Sequence, residues 1–538
     1  MAKPISVLMT TEGTYPFFEG GVSTWCDVLI REMPDIQFEL LSMVAQPGLK
    51  PRYTLPTNVK HCAAMPLWGT GGVNELRSEI GTRKLHRMRS GINDSVMKSD
   101  FEKPFKMLLK GLLEDKPDFF KLKEALRILV RFFQKHDYDK VFRHPLTWEI
   151  FKNQIDDISP ILKEQFPEAW PPSLSDVIEA LRLLYRWLTP LALPVPQADL
   201  VHASAAGLSS LPGIIAKLEH GTPLLLTEHG VYLRERLLYW AKEDLKPFIK
   251  FFLGRVTHRL VELSYEMSDI IAPVANWNAR WEQHLGADVE RIRPIANGID
   301  PNRFSPQPMP DRSVPTLVWV GRIDPLKDVV TLIEAMALVK KAIPNVSLLI
   351  YGKAPVGNEA YNQLCLDRQQ ELGLEETIKF MGFAQSPEHA YAKGHVVVLS
   401  SISEALPFSL IEAMFCGRPV VGTDVGGVPE VVGKAGLVVM PRDHKAMAEA
   451  CIELLSDLSH CEVLGERARE HALEKFTLKR CIDSYAETYQ QLALQKHKVA
   501  EMPTVDNRGS EKKLKGFAFP KLAFNGVFNS LSVNLKED

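Results

Sequence analysis

The 538-residue sequence lacks the features that define several classes of protein. It contains no run of about 18 apolar residues that would span a bilayer, and its N-terminus lacks the apolar core of a signal peptide. The seven cysteines are scattered without a CxxC pair, so neither a zinc site nor a disulfide framework is indicated. A formal net charge of -2 gives no general attraction to nucleic acid. We therefore expect a cytoplasmic protein without a nucleic-acid partner.

Common nucleotide-binding and metal-binding motifs are also missing. Neither GxGxxG nor GxxxxGK[ST] occurs, which argues against a dehydrogenase and a P-loop NTPase. A DxD triplet, Asp137 and Asp139, lies within helical-type sequence away from any predicted strand end. No group of His, Asp or Glu residues has metal-ligand spacing. We therefore expect neither a metal nor another cofactor.

Short apolar runs alternate with amphipathic helical segments, a pattern typical of βαβ units and parallel sheets. Residues 1–300 and 301–474 form two such series, and we predict two Rossmann-like domains. A helical insertion interrupts the first at about 68–195, a helix at 475–497 is expected to return to the N-terminal domain, and the role of the tail at 498–538 stays open. The predicted strands are 5–10, 36–44, 198–204, 222–230, 269–275, 316–321, 346–352, 378–383, 395–401 and 418–424.

Polar residues that follow these strands are the candidates for ligand binding, because open parallel sheets bind ligands beyond the carboxyl ends of their strands. Arg322 and Lys327 follow one strand on a loop that leads to a helix, for which Asp328 is a plausible N-cap. A guanidinium and an ammonium beside a helix N-terminus can hold a phosphate. Solvated loop charges are the alternative, but the pair at a strand end favours a phosphate clamp.

Two glutamates occur in the segment SEALPFSLIEAMFCGRP. Its proline and glycine predict a helix over about 407–416, with Glu404 on the preceding loop and Glu412 on the helix. Ionised carboxylates accept hydrogen bonds, which suits them to sugar hydroxyls. In the alternative interpretation, Ser409 and Glu412 form a capping box that starts the helix at Ser409, and Glu412 is structural.

Two further candidates lie in the N-terminal half. Gly20 and Gly21 in EGTYPFFEGGVSTW allow a backbone to approach a ligand closely, although a plain turn explains them equally well. His229 in TEHGVYLRER follows a predicted strand, where it could bond a sugar hydroxyl or stabilise a leaving phosphate. Arg234 and Arg236 would add positive charge, and the alternative is a structural histidine.

The ordered set GRIDPLKD, YGKA, IKFMGF, SEALPFSLIE and CGRPVVGTDVGGVPEVV resembles the donor domain of the retaining GT-B glycosyltransferases of family 4. The resemblance implies an α/β GT-B fold with two Rossmann-like domains facing a cleft, and front-face transfer in which the leaving phosphate assists the acceptor. The implied catalytic residues are Glu404, His229, Arg322 and Lys327. The implied donor-binding residues are Gly20, Gly21, Arg322, Lys327, Tyr351, Gly352, Lys353, Phe383, Glu404, Pro407, Phe408, Ser409, Leu410 and Glu412.

Within that set, the resemblance implies that Arg322 and Lys327 bind the diphosphate, Glu404 the donor hexose and Glu412 the ribose. It places recognition of the nucleotide base near 351–353 and Phe383. Ala405 stands where the family commonly has glycine.

EGTYPFFEGGVSTW, the helical insertion and TEHGVYLRER resemble the PelF-type subgroup. This implies metal-independent transfer of glucose from UDP-glucose to an oligosaccharide or polysaccharide acceptor in exopolysaccharide synthesis. A membrane-bound polysaccharide synthase complex would then be a partner, with peripheral attachment at the inner membrane. Three alternatives stay open: a non-catalytic subunit that binds a nucleotide sugar, a sugar-nucleotide epimerase of similar fold, and a transferase with another donor such as GDP-mannose.

Overall fold

The structure is a computed structural model that describes residues 4–76, 80–384 and 386–501, with side chains as far as residue 496. It contains two six-stranded sheets in which every strand pair is parallel. This confirms the predicted α/β fold with two Rossmann-like domains. The tail predicted beyond the last helix, with its Lys- and Phe-rich stretch 511–528, lies outside the described residues from residue 502 onwards.

The strand order is β3-β2-β1-β4-β5-β6 in the first sheet and β12-β11-β10-β7-β8-β9 in the second. The strands of the first sheet are β1 Ser6–Glu12, β2 Gln37–Val44, β3 Val59–Pro66, β4 Leu200–Ala203, β5 Leu224–Glu228 and β6 Ile270–Pro273. Those of the second sheet are β7 Thr316–Val320, β8 Ser347–Tyr351, β9 Ile378–Gly382, β10 Val396–Leu399, β11 Val420–Thr423 and β12 Gly436–Val439.

Two edge strands, β3 and β12, were not predicted from the sequence. Strand β3 buries only its last two residues fully, so it shows neither a continuous apolar run nor a regular alternation. Strand β12 has four residues, none fully buried. Pairing with β2 and β11 therefore determines these strands more than their own sequence does.

Helices cover both sheets, and none within the described ranges is long and apolar enough to cross a membrane. In the first domain they are α1 Gly21–Arg31, α2 Thr82–Ser90, α3 Asp94–Val96, α4 Glu102–Leu113, α5 Phe119–Lys135, α6 Tyr138–Phe142, α7 Pro145–Gln165, α8 Leu174–Trp187, α9 Leu211–His220, α10 Tyr232–Lys242, α11 Pro247–Met267 and α12 Asn276–His284. The later helices are α13 Val329–Ala342, α14 Glu359–Glu371, α15 Pro387–Ala392, α16 Phe408–Phe415, α17 Val428–Val432, α18 His444–Ser456, α19 Leu458–Lys475 and α20 Leu478–Glu501.

The predicted helical insertion corresponds to α2–α8, which lie between β3 and β4 in the chain. Its phenylalanines and leucines share one continuous hydrophobic core with residues of the first sheet, among them Leu8 on β1 and Val201 on β4. The insertion is therefore part of the first domain's core.

The last helix, α20, packs against the first sheet although it follows the second domain in the chain. Tyr485 and Tyr489 are fully buried there. The Tyr489 hydroxyl lies 2.7 Å from Nδ1 of His202 on β4, and the Tyr485 hydroxyl lies 3.1 Å from the Thr227 hydroxyl on β5. These bonds tie the end of the described chain to the domain in which the chain begins.

Candidate active site

Lys327 and Glu404, two of the predicted site residues, form an ion pair at the carboxyl edge of the second sheet. Lys327 ends a single turn between β7 and α13, and Glu404 lies on the loop between β10 and α16. The Lys327 ammonium donates to Glu404 Oε1 at 2.5 Å, and the Ser401 hydroxyl donates to the same oxygen at 2.6 Å. Both charged side chains are mostly buried. Adjacent strand ends thus bring together residues that are 77 positions apart.

Arg322 lies at the same edge of the sheet but is not part of this pair. Its side chain is 74% exposed, and its guanidinium lies 3.5 Å from the Asp324 carboxylate. Asp324 in turn accepts a hydrogen bond from the Leu326 backbone N–H at the start of the turn that carries Lys327. Arg322 is therefore free to move toward a ligand, whereas Lys327 is held in place.

Asp328 is the N-cap residue of α13, as the sequence predicted. It has a left-handed backbone conformation with φ of +46°, and its carboxylate accepts a hydrogen bond from the Thr331 hydroxyl at 2.7 Å. This turn directs the chain from Lys327 into the helix within one residue.

The predicted base-recognition residues meet where the ends of β7, β8 and β9 converge. The Gly352 N–H donates to the Gly382 carbonyl at 2.8 Å, and a Cβ on Gly352 would lie 1.7 Å from the Gly321 carbonyl oxygen. Only glycine fits at this position, because its φ is +150° and the neighbouring backbone leaves no space. Tyr351 is buried, whereas Lys353 and Phe383 are exposed beside it. The structure thus presents one cation and one aromatic ring for a ligand.

Helix α16 begins at Phe408 with Pro407 as its N-cap residue and has no side-chain capping bond. The capping-box interpretation of Ser409 and Glu412 is therefore wrong: Ser409 lies inside the first turn, and Glu412 does not reach back to a cap. The N-cap residue is Pro407, two residues before the Ser409 N-cap that the capping box requires. Pro407 and Leu410 are buried, and Phe408 and Ser409 are half-buried.

Glu412 is instead bonded to the neighbouring helix α15. The Tyr391 hydroxyl donates to Glu412 Oε2 at 2.7 Å. Burial raises the pKa of Glu412 to about 7, while the Tyr391 bond and the nearby Arg303 charge lower it. Glu404 and Glu412 therefore have different partners and do not share a bond. Nothing in the sequence indicated Tyr391, because its position on a short helix is typical of a packing residue.

His229 lies at the carboxyl end of β5 in the first domain, next to α1. Its ring packs edge-on against Trp25, with 4.4 Å between the ring centroids, and its Nε2 is buried with no hydrogen-bond partner among the described residues. Burial lowers the pKa of His229 to about 3, so the imidazole is neutral at physiological pH. A neutral imidazole can still donate a hydrogen bond, either to a sugar hydroxyl or to an oxygen on which negative charge develops, so both predicted roles of His229 stay predictions. Gly20 and Gly21 are exposed at the start of the adjacent helix α1.

Two contacts join the domains beside this site, and the sequence indicated neither. Arg234 on α10 donates to the Ser403 hydroxyl at 2.9 Å, next to Glu404. Glu430 on α17 accepts hydrogen bonds of 2.7–2.9 Å from Asn276 and from the Trp277 backbone N–H at the start of α12. Arg236, the other predicted cation, instead lies 3.9 Å from Glu12 on β1.

The DxD triplet has structural partners. Asp137 caps α6 and pairs with Arg89 at 3.0 Å, and Asp139 accepts hydrogen bonds from the Val73 backbone and the Tyr185 hydroxyl. Within the part of the chain that the structure describes, no group of three His, Cys, Asp or Glu residues could hold a metal ion.

Comparison with solved structures identifies the architecture. HepE from Anabaena, solved in complex with UDP and glucose, superposes with a TM-score of 0.54 at 16% identity, covering 91% of this chain and all of that chain. Sucrose-phosphate synthase from Thermosynechococcus elongatus superposes with a TM-score of 0.54 at 18% identity, covering 92% of this chain and all of that chain. The two facing Rossmann-like domains therefore define a GT-B glycosyltransferase fold.

Sequence comparisons place the chain within a family. Residues 5–290, more than half of the chain, match the model described as a domain of unknown function, DUF3492, and residues 314–457 match glycosyl transferases group 1. The chain belongs to the DUF3492 family, and it is a glycosyltransferase of group 1.

Several curated glycosyltransferases and synthases are similar to part of the chain. Alpha-maltose-1-phosphate synthase of Mycolicibacterium smegmatis is 28% identical over 55% of this chain and 80% of its own length. The putative glycosyltransferase EpsD of Bacillus subtilis is 26% identical over 54% of this chain and 76% of its own length.

Proposed function

We propose that the protein is a retaining glycosyltransferase that transfers a hexose from a nucleotide sugar, UDP-glucose, to a hydroxyl group of an oligosaccharide or polysaccharide acceptor. The observation that carries the proposal is the Lys327–Glu404 pair at the carboxyl edge of the second sheet. It places an ammonium for a leaving diphosphate beside a carboxylate for sugar hydroxyls, which are the two chemistries that a nucleotide sugar requires.

The remaining predicted residues receive roles around this pair. Arg322, which is exposed and only loosely held by Asp324, would fold onto the diphosphate. Glu412 would accept hydrogen bonds from the ribose, and Phe383 with Lys353 would contact the base. His229 and the Gly20–Gly21 loop would approach the sugar from the first domain. Bringing both domains to one substrate makes turnover dependent on domain closure.

Charge stabilisation on the leaving diphosphate would supply most of the rate enhancement. Lys327, Arg322 and the N-terminal end of α16 would meet the negative charge that develops as the glycosidic bond breaks. The acceptor hydroxyl would attack from the same face of the hexose, and its proton would pass to the leaving phosphate. No metal ion and no enzymatic nucleophile are required by this scheme.

One finding on a similar protein supports the donor. HepE of Anabaena, which superposes on this chain, was solved in complex with UDP and glucose. The PelF-type sequence resemblance adds exopolysaccharide synthesis, with a membrane-bound synthase complex as the partner and attachment to the inner membrane through it. The exopolysaccharide role, the synthase complex and the membrane attachment are therefore parts of our proposal.

The experiment begins with calorimetric titration of UDP, ADP and GDP, followed by hydrolysis and transfer assays with the matching glucose and mannose nucleotides. We expect UDP to bind most tightly and UDP-glucose to be consumed with retention of the anomeric configuration. Lys327→Ala is expected to lower turnover by about 100- to 1,000-fold, as the loss of one transition-state charge contact does. Lys341→Ala, an exposed lysine on the following helix, is the matched control.

The other outcomes have definite meanings. Full activity of Lys327→Ala would refute the diphosphate role. Tight UDP binding without hydrolysis or transfer to any glucan tested would favour the non-catalytic binding subunit. Conversion of a UDP-sugar to its epimer without an acceptor would favour the epimerase.

A further inference from the structure

Tyr391 is a buried tyrosine of the second domain whose hydroxyl meets the predicted ribose carboxylate. Its ring is fully buried between α15 and α16, and its hydroxyl donates to Glu412 Oε2 at 2.7 Å. No other hydrogen bond of the described residues reaches this carboxylate, so Oε1 is left for another donor. Glu412, to which this Oε1 atom belongs, lies on the helix that follows the Glu404 loop.

The backbone of Tyr391 is fixed as firmly as its hydroxyl. Arg418, whose side chain is completely buried, donates from Nε to the Tyr391 carbonyl at 3.1 Å. The same guanidinium donates to the carbonyl oxygens of Gln307 at 3.0 Å and Pro308 at 2.6 Å in the segment that leads into the second domain. Arg418 therefore holds the end of α15 against this segment, and the backbone of Tyr391 cannot move away from α16 without breaking those bonds.

We propose that Tyr391 is a positioning residue for the nucleotide: its hydroxyl holds Glu412 Oε2, so that Oε1 faces and accepts hydrogen bonds from the ribose hydroxyls of the donor. This inference rests on the proposed function, because it assumes that a nucleoside diphosphate binds beside Glu404 and Lys327. A purely structural Tyr391 would stabilise the domain but would not affect discrimination between ribose and deoxyribose.

The charges around Glu412 explain why the hydroxyl is needed. The carboxylate faces Tyr391 and Glu388 from α15, Arg303 from the segment before β7, and Cys416 directly after its own helix. Glu388 opposes ionisation of Glu412, and its own Oε2 is buried without a partner among the described residues. Burial raises the pKa of Glu412, whereas the Tyr391 bond and Arg303 lower it. Tyr391 therefore both orients the carboxylate and favours its ionised form, which is the form that accepts hydrogen bonds from ribose.

The test compares UDP with 2′-deoxy-UDP by calorimetric titration. If Oε1 accepts from the ribose 2′-hydroxyl, the wild-type protein should bind UDP at least about tenfold more tightly than 2′-deoxy-UDP, as expected for a hydrogen bond to a charged group. Tyr391→Phe should reduce this preference to threefold or less, and the midpoint of the pH dependence of UDP affinity should move to higher pH. Tyr361→Phe, which removes a tyrosine hydroxyl on α14 that is not bonded to a carboxylate, should keep the full preference.

Two outcomes overturn the inference while leaving the proposed function intact. In the first, Tyr391→Phe keeps the wild-type preference for UDP over 2′-deoxy-UDP and the wild-type pH midpoint. In the second, the effects of Tyr391→Phe and Glu412→Gln on this preference add up in the double variant. A shared pathway requires the double variant to match Glu412→Gln alone. Failure of the wild-type protein to bind UDP, ADP or GDP would instead refute the proposed function, and this inference with it.

Discussion

Replacing Glu282 by glutamine is expected to stabilise the first domain at alkaline pH. Glu282 on α12 and Glu228 on β5 are both completely buried. The Tyr265 hydroxyl donates to Glu228 at 2.6 Å, but no described group donates to either oxygen of Glu282. Burial, and then the neighbouring Glu228 charge, raises the pKa of Glu282, and burial raises that of Glu228. Two negative charges at this buried pair are unfavourable, so Glu282 keeps its proton in the folded protein and can donate it to Glu228.

The direction of the pH effect follows from proton binding. In the unfolded chain both carboxyls lose their protons near pH 4.3, whereas the folded protein retains at least one at higher pH. The contribution of this pair to the free energy of unfolding is therefore largest below about pH 4 and falls as the pH rises toward the folded-state pKa. The slope is about 1.4 kcal/mol per pH unit for each retained proton. Between pH 5 and pH 8 the loss from Glu282 amounts to at most about 4 kcal/mol.

Glutamine removes this loss because its amide is neutral at every pH and can donate a hydrogen bond to Glu228. Thermal unfolding followed by intrinsic fluorescence from pH 5 to pH 8.5 should give similar Tm values at pH 5. At pH 8.5 the Tm of Glu282→Gln should be several degrees higher, since about 1 kcal/mol shifts Tm by about 2–4 °C in a domain of this size. The matched control is Glu290→Gln, which replaces an exposed glutamate of the same domain. Its Tm should depend on pH in the same way as that of the wild type. If the Tm values of the wild type and Glu282→Gln change in parallel from pH 5 to pH 8.5, the proton on Glu282 does not contribute to stability as proposed.

Three further variants test the site. Glu404→Gln is expected to lower transfer from UDP-glucose by about 100-fold while UDP affinity changes less than threefold, because the carboxylate serves the hexose rather than the nucleotide; a large loss of UDP affinity would contradict this. The UDP affinity of the wild-type protein should rise as the pH increases through about 7, where Glu412 ionises. The UDP affinity of Glu412→Gln should not show this rise, and identical pH profiles of UDP affinity for the two proteins would contradict a role of Glu412 in ribose binding. Glu430→Ala should increase the radius of gyration measured by X-ray scattering, because it removes the carboxylate that caps α12 from the opposite domain. An unchanged radius of gyration would show that other contacts hold the two domains together.

Local sequence patterns predicted most of the secondary structure near the site. The helix after Pro407 and the cap at Asp328 follow from proline geometry and turn chemistry, which operate within a few residues. The same local reasoning failed for Glu412, where the S-x-x-E spacing satisfied a capping box that the preceding proline excludes. It also missed β3, because an exposed edge strand has no apolar periodicity to detect.

The sequence by itself determined which residue types follow each strand, and parallel strands gather those residues at one edge of a sheet. That was sufficient to place Lys327 and Glu404 in one candidate site. Only the tertiary structure decided their partners: the hydroxyl of Tyr391 on Glu412, the neutral buried state of His229 and the contact of Arg234 with Ser403. Burial and hydrogen bonding between segments that are distant in the chain set these properties, and a local pattern contains no information about either.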